Sequence, residues 1–463
     1  MGPSDARLPE VGGAISAHGL GGAKDLPIPS ELAIAGAVAA LVISFTVLAV
    51  AWREPRYDPA TSGRPAPQWL DRFVSSTALA VAARVLGLAF FLYVGAAAVF
   101  GQDTLINPFL GTFYVLLWVG LVPASLLLGP VFRAISPART ISMLFAKVSG
   151  VPEGEGLYAY PARLGYWPAA AGLFSFVWLE LVYPSSTDLG PVRLWCAAYL
   201  GIMFVGSALF GTTFLARADP FEVYSSLVAK LSIWGRRDTF ETVAGRPPER
   251  KGRLVLRSPL ANLDTLVARP GLVAVVAVLF GSTAFDSFRE STAWLGVVQE
   301  MSLSRVLPDT LALVAFSGGV ALVLTAATMA TGVSSGMPRR ALPDLFAHSV
   351  VPIIVGYIVA HYLTYFVEYG QQTIIQLSDP FTRGDDYLGT ADLQVNYWLS
   401  MHPTFLAVSK VVAVALGHVV GVVAAHDRAV KLLPRRHQLT GQLPLLVAMV
   451  GFTVGGLYLL FAA

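Results

Sequence analysis

The chain has 463 residues, of which 55% are hydrophobic and only 13% charged, with a mean hydropathy of +0.63. A soluble domain carries about 25% charged residues, so this composition excludes an ordinary water-soluble globule. The net charge of +3 is small and its basic residues are gathered beside apolar runs, which excludes nucleic acid as a partner and points to lipid headgroups.

Residues 1–29 form a Gly- and Pro-containing tail that lacks the basic-then-apolar layout of a signal peptide. From residue 30 onward the chain reads as one all-α transmembrane domain, 30–463. Ten apolar runs are expected to be helices, at about 30–52, 73–100, 108–132, 164–183, 194–216, 270–288, 307–331, 345–369, 403–427 and 441–462. The gaps after the first, third, fifth, seventh and ninth runs hold nearly all the Arg and Lys clusters. Examples are Arg53, Arg56 and Arg64 in the first, Arg133 and Arg139 in the second of these, and Arg428 and Lys431 in the last. The alternate gaps, 101–107, 184–193, 289–306 and 370–402, carry few bases and several acids. Basic loops stay cytoplasmic, so both termini are expected outside a multi-pass protein of the inner (plasma) membrane.

Two extramembrane pieces stand out. Residues 217–269 begin DPFEVYSSLVAKLSIWGRR, a mixture of apolar and basic residues at helical spacing. The segment is expected to lie along the inner face as one or two amphipathic helices with Trp234 at headgroup depth, and it offers a surface for a protein partner. The outward loop 370–402 carries Asp379, Asp385, Asp386, Asp392, Tyr387, Tyr397 and Trp398 and is long enough to be a lid.

Ionisable side chains inside spans are expensive and mark candidate sites. Arg84, Glu180, Asp286, His361, Glu368, Lys410 and His418 all fall in apolar runs. The alternating topology puts Glu180, Asp286, His361, Glu368 and Lys410 in the outer half of the bundle. Glu180, Asp286, His361 and Lys410 are therefore expected to converge as a catalytic set beneath the 370–402 loop. Tyr365 and Glu368 stand at i+4 and i+7 from His361 and are expected on its face. His361 reads equally as a site residue or as an interhelical hydrogen-bonding residue, Glu368 as a partner for Lys410. His18, His361 and His402 with Asp286 would supply the N and O donors that a divalent metal such as zinc accepts, although no HExxH or CxxC spacing accompanies them. His418 lies roughly 9 Å deeper than His361 by helical rise, which disfavours a shared haem. Gly417 and Gly421 form a small-xxx-small step that suits close helix packing. The single Cys196 allows no internal disulfide.

Four segments carry a family likeness: AHGLGGAKDLPIP before the first span, RPGLVAVVAVLFGSTAFDSF in the sixth, FAHSVVPIIVGYIVAHYLTYFVEYGQ in the eighth and GHVVGVVAAHDRAV in the ninth. Together they resemble polytopic actinobacterial membrane proteins labelled fenitrothion hydrolase. The resemblance implies hydrolysis of an apolar organophosphorus ester that reaches an outward-facing polar pocket through the bilayer. It supplies no catalytic set. The residues alone also suit a proton- or ion-coupled transporter, or a scaffold subunit of a larger complex.

Overall fold

In the computed structural model, the described residues are 22–152, 154–237, 252–301, 304–331, 337–434, 438 and 440–462. The chain is 71% helical. Among the described residues, eight helices are long and apolar enough to cross a membrane: α1 (Ser30–Ala51), α2 (Thr77–Phe100), α5 (Leu189–Phe210), α6 (Leu272–Arg289), α7 (Val306–Met329), α8 (Arg339–Gln376), α9 (Pro403–Leu432) and α10 (Thr440–Phe461). Between them, α3 is a pair, Pro108–Val119 and Leu121–Leu128, bent by 45°. Counted as one span, it raises the number to nine. The bend has a local cause: Gly120 separates the halves, and Pro123 has no N–H to offer the carbonyl four residues back. Helix α4 (Trp167–Leu181) is apolar but only 15 residues long, about 22 Å at 1.5 Å per residue, short of a bilayer core of about 30 Å.

The bundle has a centre and a rim. Three-quarters of the apolar window of α6 (78%) and 72% of that of α8 are buried inside the protein, against 6% for α2. The central helices pack on each other, with α4 and α7 against α6 and α9 against α8. The rim helices turn bare apolar side chains outward, among them Leu86, Leu92, Leu194, Leu322 and Val447. Such a surface belongs in hydrocarbon, and the chain is an integral membrane protein of helical type.

Helices α8 and α9 approach most closely where glycine meets glycine. A Cβ on Gly417 would come 2.6 Å from the Pro352 carbonyl oxygen, and one on Gly356 would come 2.4 Å from that of Ala413. Backbone contact at that distance leaves no room for a side chain. Gly417→Leu should therefore part the two helices and lower stability by at least about 1–3 kcal/mol. Thermal unfolding in detergent reads this, and an unchanged midpoint would contradict the packing.

The basic gaps meet on one face. Asp427 at the end of α9 accepts from the Trp52 indole (3.3 Å) and from the Arg56 amide (2.7 Å) just past α1. Arg428 pairs with Asp264 at 2.9 Å and donates to the Leu345 carbonyl near the start of α8. Arg139, after α3, grips Glu222, after α5. The alternate gaps meet on the other face: Asp103 accepts from the Leu189 amide, and Thr382 Oγ1 from the Gln102 amide. The 22–28 segment preceding α1 lies there too, with its Ala23–Asp25 turn against α9.

The 217–269 segment departs from the surface helices that its spacing suggests. Its helix, Pro220–Val228, is buried along almost its whole length rather than lying on the membrane face. Asp219 caps it by accepting from the Phe221 and Glu222 amides, and the Arg139–Glu222 ion pair holds it inside. The apolar periodicity is thus a core face on every side. Trp234 is not helical: Trp234–Arg236 and Arg64–Pro65 flank Leu254–Leu256 in a small antiparallel sheet, with Trp234 and Arg64 both opposite Leu256. Arg246, Arg250 and Lys251 of this segment lie outside the described residues. Helix α8 runs on to Gln376, so the loop that follows it begins at 377 rather than 370.

Candidate functional site

Helices α6 and α8 carry the most costly polar groups of the bundle interior, and they carry them in register. The His361 Nε2 atom lies 2.9 Å from Asp286 Oδ2, and both residues are buried, at 6% and 5% exposure. The same carboxylate oxygen accepts the Tyr362 hydroxyl at 2.7 Å. On the other side of the ring, His361 Nδ1 lies 3.1 Å from Ser287 Oγ, which is also 3.1 Å from the Tyr357 hydroxyl. The polar groups therefore form one chain: Tyr362, Asp286, His361, Ser287, Tyr357. Tyr357 and His361 are one turn apart on α8 and their rings are parallel. Asp286 and Ser287 are adjacent on α6, so the helix wraps both nitrogens of the imidazole. A neutral imidazole donates at one nitrogen and accepts at the other, so this ring joins a carboxylate to a hydroxyl pair across the two helices.

Further groups surround the chain. Glu180 on α4 lies within electrostatic range of Asp286 and Arg289. Its Oε2 atom is buried without a hydrogen-bond partner among the described residues. Tyr114, Tyr224 and Tyr365 all lie within electrostatic range of Glu180. Arg289 donates to the Leu181 carbonyl and so ties the C-terminal end of α6 to α4. Glu290, just past α6, is reached by the charges of Asp286, His361, Arg289 and Lys410. Burial first, and then Asp286, pushes its carboxyl up to about 7. Lys410 on α9 is 3% exposed and has Asp25 and Glu290 as its neighbouring carboxylates.

Both helical walls are irregular at this depth. Residues Thr112–Val119 of α3 and Tyr365–Tyr369 of α8 are π-helical, and the two segments pack on each other. Each π turn fits an extra residue into the helix, and such turns gather at functional sites. The α8 turn has a direct consequence: it rotates everything beyond Tyr365 away from the face of His361. Glu368 accordingly leaves that face and accepts from the Ser400 amide (3.0 Å) and hydroxyl (2.8 Å). The expected pairing of Glu368 with Lys410 is thereby replaced by a tie to the loop after α8.

Of the four residues expected to converge, Asp286 and His361 are in contact and Glu180 stands beside Asp286. Lys410 is within electrostatic range of Glu290, which is in turn within range of Asp286 and His361. Ser287, Glu290 and Arg289 are members that spacing alone did not single out; Glu290 at i+4 from Asp286 was the available signal. The loop after α8 is anchored to Tyr93 through Leu377, to Gln371 through Asn396 and to Glu368 through Ser400. A cavity of about 430 Å³ beneath it is lined by Leu363, Val367, Gln371, Trp398 and Phe405, a largely apolar set.

The metal set does not form among the described residues, where no group of three or more His, Cys, Asp or Glu is placed to hold an ion. His402 is turned to the loop, with Nδ1 at 2.7 Å from the Trp398 carbonyl and its ring stacked on that indole. Both nitrogens of His361 are already engaged by Asp286 and Ser287. His18 lies outside the described residues.

No family model, curated protein or solved structure matches this chain.

On α9, His418 is buried with Nδ1 2.9 Å from the Val414 carbonyl one turn back, and His426 bridges Gln442 and the Trp52 carbonyl. Arg84 extends to Met143 on the Pro137–Val148 helix, close to the basic face.

Proposed function

We propose that this protein is a ten-span membrane protein with both termini outside, and that the Asp286–His361 chain is a proton relay open to the outer side. The architecture counts the bent α3 and the short α4 as spans. Its support is the gathering of the basic gaps on one face and of the acidic gaps on the other. A reporter that works only outside the cell, fused after Ala463, should be active; activity only of a cytoplasmic reporter would contradict the orientation.

The relay reading rests on one observation above all. Two titratable groups, a carboxylate and an imidazole, are buried in hydrogen-bond contact on the two most enclosed helices, and the second ring nitrogen leads on to Ser287 and Tyr357. A proton accepted at one nitrogen can be released from the other. Unpaired charge at this depth costs several kcal/mol, so a single proton shared along the chain keeps it neutral or compensated. Glu290, just past α6, has its carboxyl pushed up to about 7 by burial and then by Asp286, and supplies the point of exchange with the outside. The experiment is proton flux in proteoliposomes under an imposed potential, followed with an internal pH dye. Wild-type vesicles should acidify or alkalinise faster than protein-free vesicles, and His361→Ala should remove the difference. Equal rates for wild-type and protein-free vesicles would contradict the relay.

A hydrolase reading, which the family resemblance implies, draws on a different feature. Ser287, His361 and Asp286 have the connectivity of a serine–histidine–carboxylate triad, with the hydroxyl 3.1 Å from one ring nitrogen and the carboxylate 2.9 Å from the other. Ser287 is 2% exposed, which limits attack to an apolar ester that enters from the bilayer. Phosphotriester turnover that survives Ser287→Ala would exclude that hydroxyl as nucleophile.

A further inference from the structure

Away from the relay, the basic face of the bundle contains a cavity of about 630 Å³. It opens where the chain after α1 meets the strand Leu254–Leu256 and the short helix Pro259–Leu263. Its polar lining is Arg56, Tyr57, Ser62, Arg64, Arg257 and Ser258, and its apolar floor includes Ile233 and Leu256. Among the described residues, three guanidinium groups and no carboxylate line it, a formal charge of +3.

The acids nearby are engaged elsewhere. Asp58 caps its own turn, accepting from the Ala60 amide at 2.9 Å and the Thr61 hydroxyl at 3.0 Å. Asp427 serves Trp52, Arg56 N and Lys431. Asp264 is held by Arg428 and Lys431. Burial alone would raise the Asp264 carboxyl, yet those two cations keep it below its ordinary value, so it stays ionised and committed to them.

The walls are built rather than loose. Arg257 is 8% exposed and donates to Asn262 Oδ1, to the Pro59 carbonyl (2.8 Å) and to the Arg236 carbonyl (3.4 Å). Arg56 stacks over the Trp52 ring, 4.2 Å from its centre. Gly63, at φ +98°, lets the backbone pass so close to Arg257 that a Cβ there would be 2.8 Å from the Arg257 Cβ. Ser62 Oγ lines the cavity and is buried without a hydrogen-bond partner among the described residues. A preformed ring of guanidinium and hydroxyl donors, with no carboxylate among the described lining residues, suits a phosphate group, whose oxygens accept several charge-assisted hydrogen bonds at once. Trp69 and Phe73, 70% and 56% exposed on the adjoining helix Gln68–Val74, are side chains of the kind that settle at headgroup depth.

We propose that this cavity binds a phosphate-bearing anion, the headgroup of an anionic phospholipid of the facing leaflet being the favoured source. Arg56 and Arg64 supply the charge from the rim and Arg257 with Ser62 from the wall.

The test uses the full chain in an uncharged detergent, with thermal unfolding and native mass spectrometry as two readouts. Phosphatidylglycerol, phosphatidylcholine and inorganic phosphate are titrated separately into wild type and into the double variant Arg56→Gln/Arg64→Gln. Both side chains are exposed, so the variant should fold. Phosphatidylglycerol should raise the wild-type midpoint and remain bound in the mass spectrum, and the double variant should need about tenfold more of it, the loss expected for one charge-assisted contact of roughly 1.4 kcal/mol or more. Inorganic phosphate acting through the same arginines supports the site and assigns its source to free anion. Equal responses to phosphatidylglycerol and phosphatidylcholine, or to both proteins, would overturn the proposal.

Discussion

Asp286→Ala is expected to lower stability by about 3 kcal/mol or more and to abolish proton flux. The substitution leaves the His361 ring nitrogen and the Tyr362 hydroxyl facing each other without their shared acceptor. Each buried group left unsatisfied costs about 1–3 kcal/mol. Asp286→Asn separates the two consequences. The amide keeps an oxygen for Tyr362 and can donate to a neutral imidazole, so it should cost only about 1 kcal/mol; it cannot take up a proton, so flux should still be lost. Unfolding midpoints of Asp286→Ala, His361→Ala and the double variant give the coupling between the two residues. Additive losses would mean that the contact contributes nothing of its own. An Asn variant with normal flux would mean that Asp286 never carries a proton.

Glu222→Ala should be the most damaging single change on the basic side, at about 3–5 kcal/mol. Glu222 is 1% exposed and receives both Nε (3.0 Å) and Nη2 (2.7 Å) of Arg139, itself 8% exposed. Removing the carboxylate strands a guanidinium inside the bundle and unpins the Pro220–Val228 helix from the Pro137–Val148 helix. Glu222→Leu combined with Arg139→Met should recover much of the loss, because an apolar pair of similar volume avoids the desolvation of both ions. A single variant as stable as wild type, measured by unfolding in detergent, would show that the pair is solvated in the membrane.

These two sites also mark what was legible in the sequence. Asp286 and His361 stand out because ionisable groups in apolar runs are costly, and cost argues that they seek one another. The one-sided gathering of basic gaps follows from the same simple rule of charge and lipid. Glu222 offered no such sign. It sits in a stretch of mixed polarity, and its partner Arg139 is 83 residues earlier, so a buried helix read as a surface one. The three short strands were equally silent, since two or three residues carry no periodicity.

The register of α8 past Tyr365 is a subtler case. A pattern of i+4 and i+7 neighbours assumes 3.6 residues per turn. The π turn at Tyr365–Tyr369 breaks that assumption and hands Glu368 to Ser400. Nothing in YFVEY announces the extra residue. The turn packs on the facing π segment Thr112–Val119, a contact that only the assembled bundle brings together. Ser287 went unnoticed for a related reason: a serine in an apolar run is cheap, and its value comes entirely from the imidazole opposite.

The central claim is that the carboxyl groups around His361 exchange protons with the outer solution. Infrared difference spectroscopy of the reconstituted protein tests it most directly, by following the C=O stretch of protonated carboxylic acids as the external pH is stepped from about 5 to about 9. A band should disappear over that range in wild type, and Asp286→Asn, Glu180→Gln and Glu290→Gln should each be distinguishable from it, with at least one removing the band. A spectrum in this region that does not change with external pH would mean that the cluster is sealed, and that Asp286 and His361 hold two helices together and nothing more.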